Sequence, residues 1–128
     1  MMFHDLPTKA LNLNVALLQV AEKLNERGVP SVAKYILKHG VRASDYLHRS
    51  RRNTSKYKCI TNFKTAIYEL DKAKCLIDHL YKRGLMTDEE YMYINEKYTS
   101  VRMSTFVEIS RYSKVADWYN FGDEDSFI

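Results

Sequence analysis

Residues that interrupt helices are few in this chain, and long segments separate them. Among 128 residues there are two prolines and four glycines. Gly28, Pro30 and Gly84 fall at the ends of segments whose apolar residues recur with helical period, where helix punctuation is expected. All-β chains instead scatter such residues between many short strands. The sequence therefore predicts an all-α protein.

The apolar pattern predicts four helices, over about 8–27, 31–55, 57–83 and 88–117. Thr8 is a candidate N-cap for the first helix, and Thr87 with Glu90 has the spacing of a capping box for the fourth. Gly40 lies inside the second helix, where we expect no break because the apolar phase continues on both sides. In the first helix, the residues expected to face inward are Leu11, Val15, Leu18 and Leu24.

Short connections place sequential helices side by side and antiparallel. We therefore expect an up-down-up-down four-helix bundle in one domain over residues 1–120, followed by a short acidic tail over 121–128. Cys59 and Cys75 lie on one predicted helix about 24 Å apart, too far for a disulfide, so both are expected to be reduced thiols. With neither a signal-peptide pattern nor a membrane-spanning apolar run, the expected location is the cytoplasm.

Basic residues are concentrated on the second helix. The chain has a formal charge of +4, but residues 1–120 carry 20 basic against 13 acidic side chains, a net of +7. On a helical projection six cations share one side, nearly opposite the apolar face, with Asp45 the one acid among them; they are Lys34, Lys38, Arg42, Arg49, Arg52 and Lys56. Arg51 and Lys58, which are next to this row in the sequence, complete the predicted nucleic-acid-binding residues: Lys34, Lys38, Arg42, Arg49, Arg51, Arg52, Lys56 and Lys58.

A row of like charges favours a polyanionic partner, because phosphates neutralise the repulsion and their counterions are released. RNA or DNA is the leading interpretation, and Tyr46 and Tyr57 beside the row are candidates for stacking on unpaired bases. The alternatives are a solvated basic face, an acidic protein or the chain's own tail. A membrane surface is disfavoured because the apolar side of this helix is expected to lie in the bundle.

The fourth helix has a second apolar stripe away from its predicted core face. Its members are Met92, Met103 and Phe106. The stripe is either a widened edge of the core or a contact between subunits, and ring symmetry would gather several basic helices into one field.

Signatures of catalysis are not found in the sequence. It contains no Gly-rich phosphate loop, metalloprotease helix motif or paired-cysteine zinc pattern. Asp45 and His48 have a carboxylate–histidine spacing known from di-iron bundles, but such sites need two of these motifs. We therefore expect no enzyme activity, no cofactor and no metal.

Several stretches resemble the bacterial four-helix-bundle family that includes rRNA intervening-sequence proteins and the accessory variability determinant proteins of diversity-generating retroelements. The resemblance covers about residues 9–112 and is clearest in "VPSVAKYIL", "YLHRSRR" and "LDKAKCLIDHLYKRGLMTDEEY", and fainter in "SVRMSTFV". Intervening-sequence members usually carry Asn-Ile-Ala-Glu-Gly near the end of the second helix. Here "ASDYL" stands in the corresponding region, which favours the retroelement branch.

The resemblance implies a function that the residue pattern does not supply. It implies a homopentameric, positively charged barrel that binds RNA or DNA and associates with a reverse transcriptase during mutagenic copying of a template repeat. The alternatives are an rRNA intervening-sequence-type protein and an interaction module for an acidic protein.

Overall fold

The computed structural model describes residues 6–52 and 55–119, except for the side chains of residues 51 and 114–119. Within this part of the chain lie four α-helices and no strand: α1 (Leu6–Glu26), α2 (Pro30–Arg52), α3 (Lys56–Lys82) and α4 (Asp88–Tyr119). These limits differ from the predicted ones by up to three residues. The predicted acidic tail, 121–128, lies outside the described residues.

The helices form an antiparallel bundle. Each packs on its neighbours in sequence, and α4 also packs on α1, which closes a four-sided arrangement around the core. Polar contacts at both ends show the direction of α4 against α1: Lys9 Nζ donates to Ser104 Oγ at 2.7 Å, and Arg27 pairs with Glu90. The all-α, four-helix fold expected from the sequence is confirmed.

The connections between helices follow the predicted punctuation. Gly28 and Gly84 have φ of +85° and +79°, the left-handed conformation that glycine adopts at helix C-termini without steric cost. At the start of α4, Thr87 N–H donates to Glu90 Oε1 at 2.9 Å and Glu90 N–H donates to Thr87 Oγ1 at 3.1 Å. This reciprocal pair is the capping box expected from the sequence.

The orientation predicted for α1 is wrong. Leu11, Val15 and Leu18 are exposed, Leu11 to 62%, and of the predicted set Leu24 is buried. The core face of α1 consists of Leu6, Ala10, Leu13, Ala16, Leu17, Val20, Ala21 and Leu24. Both sides of α1 carry large aliphatic residues at helical spacing, so periodicity alone did not separate them. The side with interspersed alanines is buried because it permits closer packing.

The start predicted for α1 is also wrong. Thr8 lies inside the helix, which already includes Leu6 and Pro7. Proline is tolerated in the first helical turn because the N–H it lacks has no intrahelical acceptor there. Thr8 therefore does not have the N-cap position.

Gly40 allows α1 and α2 to approach closely. A Cβ atom at this position would lie 2.5 Å from Leu17 Cδ1 and 3.3 Å from Asn14 Oδ1. Such a separation is shorter than van der Waals contact, so any larger residue displaces the buried Leu17 side chain. α2 is continuous through this position, as expected, and the glycine serves helix packing.

Candidate nucleic-acid interface

α2 carries most of the predicted cations on one exposed side of a continuous helix. On its core side, Ile36, Ala43 and Leu47 are buried as expected. At about 1.5 Å per residue, the 18 residues between Lys34 and Arg52 span about 27 Å. The exposed cations on this helix, called here the α2 row, are Lys34, Lys38, Arg42, Arg49 and Arg52.

Most of the α2 row is not neutralised by neighbouring carboxylates. Among the described residues, its one ion pair joins Arg49 Nη2 to Asp45 Oδ2 at 2.8 Å, between side chains that are both more than half exposed. The Arg49 guanidinium also lies 5.0 Å from the centre of the Tyr46 ring. An exposed pair of this kind contributes at most about 1 kcal/mol, so an incoming phosphate competes with Asp45 at small cost.

Lys56 and Lys58 do not extend the α2 row as the sequence suggested. α2 ends at Arg52, and both lysines belong to the first turn of α3. Ser55 caps α3, with its Oγ accepting from Lys58 N–H at 3.3 Å. Ser55, an N-cap directly after the basic residues of α2, marks the start of α3, so α2 ends before its predicted limit at residue 55. The side chain of Arg51 lies outside the described part of the structure.

Buried contacts hold the end of α2 against the start of α3. Ser50 Oγ donates to Tyr46 O at 3.1 Å and to Cys59 O at 3.2 Å, and Cys59 Sγ donates to Ser50 O at 3.0 Å. Burial raises the pKa of the Cys59 thiol, which keeps it protonated and able to donate. These contacts place the basic end of α2 beside the basic start of α3.

The acidic residues of α3 are turned toward neighbouring helices. Glu69 is buried in contact with His39 Nδ1 of α2. Asp71 accepts from Tyr98 Oη at 2.6 Å and from Arg102 Nε at 3.0 Å. Two of the three carboxylates of α3 are therefore engaged, Glu69 in the interior and Asp71 at the partly exposed boundary with α4.

Asp78, the third acid of α3, faces α4. It accepts from Lys74 Nζ at 2.7 Å and from Tyr91 Oη at 2.6 Å. Although burial opposes it, these two hydrogen bonds lower the pKa of Asp78. With its acids engaged this way, α3 presents cations on its outer side: Lys58, Lys64, Lys72 and Lys82.

The histidines and carboxylates show no arrangement that would hold a metal in the described part of the chain, where no three candidate ligands come together. His39 is engaged with Glu69, and its ring lies 4.3 Å from that of Tyr35. Asp45 and His48 are exposed and line a groove of about 400 Å³ between α1 and α2, whose walls are mainly apolar.

The residues predicted as a subunit interface lie on the outer side of α4. Met92, Met103 and Phe106 are exposed, Met103 to 64%, so they do not form an edge of the core. Arg102 packs on Phe106, with its guanidinium 4.9 Å from the ring centre. Val107 adds a further exposed apolar side chain to this stripe.

Two surfaces were missed in the sequence. The outer side of α3 is not apparent from the sequence, because Glu69, Asp71 and Asp78 give that helix a mixed pattern of charge. The exposed stripe Leu11, Val15 and Leu18 was assigned to the core. The alanines on the opposite side of α1 were the signal for the correct orientation.

No described helix combines the length and apolar character needed to cross a membrane. No family model matches the chain, and no curated protein matches it. Among solved structures, the chain is similar to a Bacteroides thetaiotaomicron protein of unknown function from the S23 ribosomal protein family. The TM-score is 0.77 at 21% identity, over 81% of this chain and 97% of the other, a likeness that shows a shared helical-bundle fold.

Proposed function

We propose that this chain is a non-catalytic nucleic-acid-binding protein of the cytoplasm, an accessory subunit that works with a reverse transcriptase in a diversity-generating retroelement. The observation that carries the proposal is the α2 row. Lys34, Lys38, Arg42 and Arg52 are exposed on one continuous helix and have no ion pair among the described residues.

The physical argument rests on spacing. Lys34, Lys38 and Arg42 follow one another at i,i+4, where like charges destabilise a helix by a few tenths of a kcal/mol per pair. A phosphate backbone along this side of α2 removes the repulsion and releases condensed counterions into solution. Such contacts position a nucleic acid without reading its bases, so we propose binding with little sequence preference.

The link to a reverse transcriptase comes from the family resemblance in the sequence. The similar Bacteroides thetaiotaomicron structure from the S23 ribosomal protein family supports the fold. The link is tested by co-expressing the chain with a retroelement reverse transcriptase and purifying the complex after nuclease treatment. Recovery of both proteins supports direct association, and loss of the polymerase on nuclease treatment contradicts it.

Salt dependence tests the binding surface. Five contacts from the α2 row predict that the logarithm of affinity for duplex DNA falls with the logarithm of salt concentration at a slope of about −4.5, or about −3.5 for a single strand. The triple variant Lys38→Glu, Arg42→Glu, Arg52→Glu is expected to lower affinity at least tenfold and to flatten the slope by about 3. Fluorescence anisotropy across a salt series measures both quantities.

A matched variant controls for net charge. Lys23→Glu, Lys97→Glu and Arg111→Glu change the total charge by the same amount but lie on α1 and α4. This variant should retain most of the affinity and nearly the full slope. Equal losses in both triple variants, or an affinity indifferent to salt, would show that the α2 row is not the binding surface.

We also propose that the chain assembles with copies of itself, in a ring whose number of five is suggested by the resemblance. Exposed Met92, Met103 and Phe106 on α4 support an interface on the outer side of that helix. The α1 stripe of Leu11, Val15 and Leu18 supplies a second apolar surface of the same kind. Apolar area exposed on both helices is costly in a monomer and is buried by self-association.

A further inference from the structure

The outer side of α3 carries four lysines, and each acid of this helix already has a partner. Lys58, Lys64 and Lys82 are exposed there and Lys72 is half-buried, while Glu69 contacts α2 and both aspartates accept hydrogen bonds from α4. Because α2 and α3 are adjacent, their axes lie about 8–10 Å apart, and this outer side continues the positive surface of the α2 row. α3 therefore extends the candidate interface onto a second helix.

Two aromatic rings on α3 are more exposed than Tyr35 of α2, which is 41% exposed. Tyr57 is 68% exposed and Tyr68 is 59% exposed. They are 11 residues apart, close to three full helical turns, so both rings leave the same side of α3 about 16 Å apart. Lys72 Nζ lies over one face of the Tyr68 ring, 4.3 Å from its centre, so a base would stack on the opposite face.

These two tyrosines differ from those that stabilise the bundle. Tyr81, Tyr91 and Tyr98 each donate a hydrogen bond to a carboxylate, those of Asp88, Asp78 and Asp71. Tyr57 and Tyr68 make no such hydrogen bond within the described residues, and their rings face solvent. Their large apolar surfaces are therefore available to a ligand.

We propose that the outer side of α3 binds single-stranded nucleic acid, with bases stacked on Tyr57 and Tyr68 and phosphates held by Lys58, Lys64 and Lys72. This inference rests on the proposed function and names its substrate class. Unpaired bases expose their faces to aromatic side chains, whereas in a duplex those faces are covered by neighbouring base pairs. A surface that carries both rings and cations suits a strand that offers both unpaired bases and phosphates.

Three ligands of nearly equal phosphate number test the proposal on the full-length protein. They are an unstructured mixed-sequence RNA strand of about 24 nucleotides, a duplex of about 12 base pairs, which has nearly the same number of phosphates, and a strand of about 24 nucleotides whose central nucleotides are abasic. Wild-type protein is expected to bind the intact strand at least fivefold more tightly than the abasic strand. Anisotropy titrations at one salt concentration give all three affinities.

Substitutions assign the effect to the rings. Tyr57→Ala and Tyr68→Ala are each expected to weaken binding of the intact strand by roughly 5- to 150-fold. Affinity for the abasic strand and the duplex should change by less than twofold, because the phosphate contacts remain. Tyr57→Phe and Tyr68→Phe should retain affinity, because stacking needs the ring and not the hydroxyl.

A tyrosine elsewhere provides the matched control. Tyr93 on α4 is 42% exposed and has Lys97 Nζ 5.4 Å from its ring centre, so Tyr93→Ala removes a similar group from a different helix. It should not alter binding of any ligand. Circular dichroism checks that each variant is folded. The comparison of intact with abasic strands needs only the wild-type protein, so it does not depend on the folding of any variant.

The outcomes separate this inference from the proposed function. Equal, salt-dependent affinity for all three ligands overturns base stacking and leaves polyanion binding by the α2 row in place. Tighter binding of the duplex than of the single strand also overturns it. Failure of every ligand to bind at low salt contradicts the proposed function itself.

Discussion

Arg27 and Glu90 join the end of α1 to the start of α4. Arg27 Nη1 lies 2.7 Å from Glu90 Oε1, Nη2 lies 2.8 Å from Oε2, and Nη1 also donates to Leu85 O at 2.9 Å. The bidentate geometry, together with the hydrogen bond from Thr87 N–H, fixes the carboxylate in its ionised form. The Arg27 hydrogen bonds, with Thr87 assisting, lower the pKa of Glu90 from 4.5 to about 2.

This contact predicts a loss of stability in acid. Because the pKa of Glu90 is lower in the folded chain than in the unfolded one, its contribution is complete above about pH 4.5 and is lost as the pH falls through about 2. After allowance for partial exposure, Glu90→Gln should lower the free energy of unfolding at pH 6 by about 1–2 kcal/mol. Thermal unfolding at several pH values measures this difference.

The pH dependence itself is the discriminating observation. The difference in free energy of unfolding between wild type and Glu90→Gln should shrink steadily between pH 5 and pH 2. Protonation removes the charge of Glu90 in the wild type over this range, whereas the substitution removes that charge at every pH. Glu89→Gln, an exposed neighbour without an ion pair in the described structure, should show no comparable trend. A constant difference down to pH 2 would contradict the assignment.

At the scale of the helix, Gly40 lowers the helix propensity of α2 but is required for the packing of α2 on α1. Gly40→Ala recovers about 1 kcal/mol of helix propensity but drives a methyl group into the buried Leu17 side chain. Overpacking of this kind costs about 1–3 kcal/mol. We therefore expect Gly40→Ala to lower the free energy of unfolding by about 1 kcal/mol in urea titrations.

The same substitution in a Leu17→Ala variant provides a control for this prediction. In Leu17→Ala protein the colliding side chain is absent, so Gly40→Ala should raise stability by roughly 0.5–1 kcal/mol. The sign of the same substitution thus reverses between two backgrounds, which a double-mutant cycle measures directly. A stabilising effect of Gly40→Ala in the wild-type background would show that the helices do not pack this closely.

The helices also show how far the sequence could predict the structure. The core sides of α2, α3 and α4 follow from periodicity, because the longest apolar face of each helix is the buried one. The glycine turns and the Thr87 capping box follow from local chemistry. α1 carries two apolar faces, and the choice between them depends on how Gly40 fits against Leu17. Contacts between distant residues of this kind leave no periodic signal in the chain.

The candidate site was predictable to a similar extent. The α2 row was visible because its cations share a side of one helix. On α3, Asp71 contacts Tyr98 and Arg102 of α4. Asp78 contacts Tyr91 of α4 and Lys74 of α3. These contacts engage the acids of α3, and the contacts with α4 cannot be read from the pattern of a single helix. The extension of the positive surface onto α3 is therefore a property of the bundle.

At the scale of the whole molecule, charge is divided between two halves. α2 has six basic and one acidic side chain, a net of +5, and α3 has six and three, a net of +3. α1 is balanced at two and two, and α4 has four basic and six acidic, a net of −2. The α1 and α4 half also carries the exposed apolar stripes, so self-association through it brings together surfaces with little mutual repulsion.

This division predicts the effect of interface substitutions on assembly. Met103→Asp with Phe106→Asp should convert the assembled protein to smaller species, because carboxylates buried between subunits lose hydration without a partner. Light scattering coupled to size-exclusion chromatography measures the mass. The exposed control Tyr68→Asp, on α3, should leave the mass unchanged, and a monomeric wild type would contradict self-association altogether.

The buried contact between His39 and Glu69 has a consequence for the proposed nucleic-acid interface, although neither side chain lies on that surface. If α2 slid along α3 by one turn, about 5.4 Å, the imidazole and the carboxylate would each be left in the apolar interior without a partner. This contact therefore fixes the axial position of α2 relative to α3, and with it the spacing between the cations of α2 and the tyrosines of α3. The distances between groups on the surface are thus set by a contact in the interior.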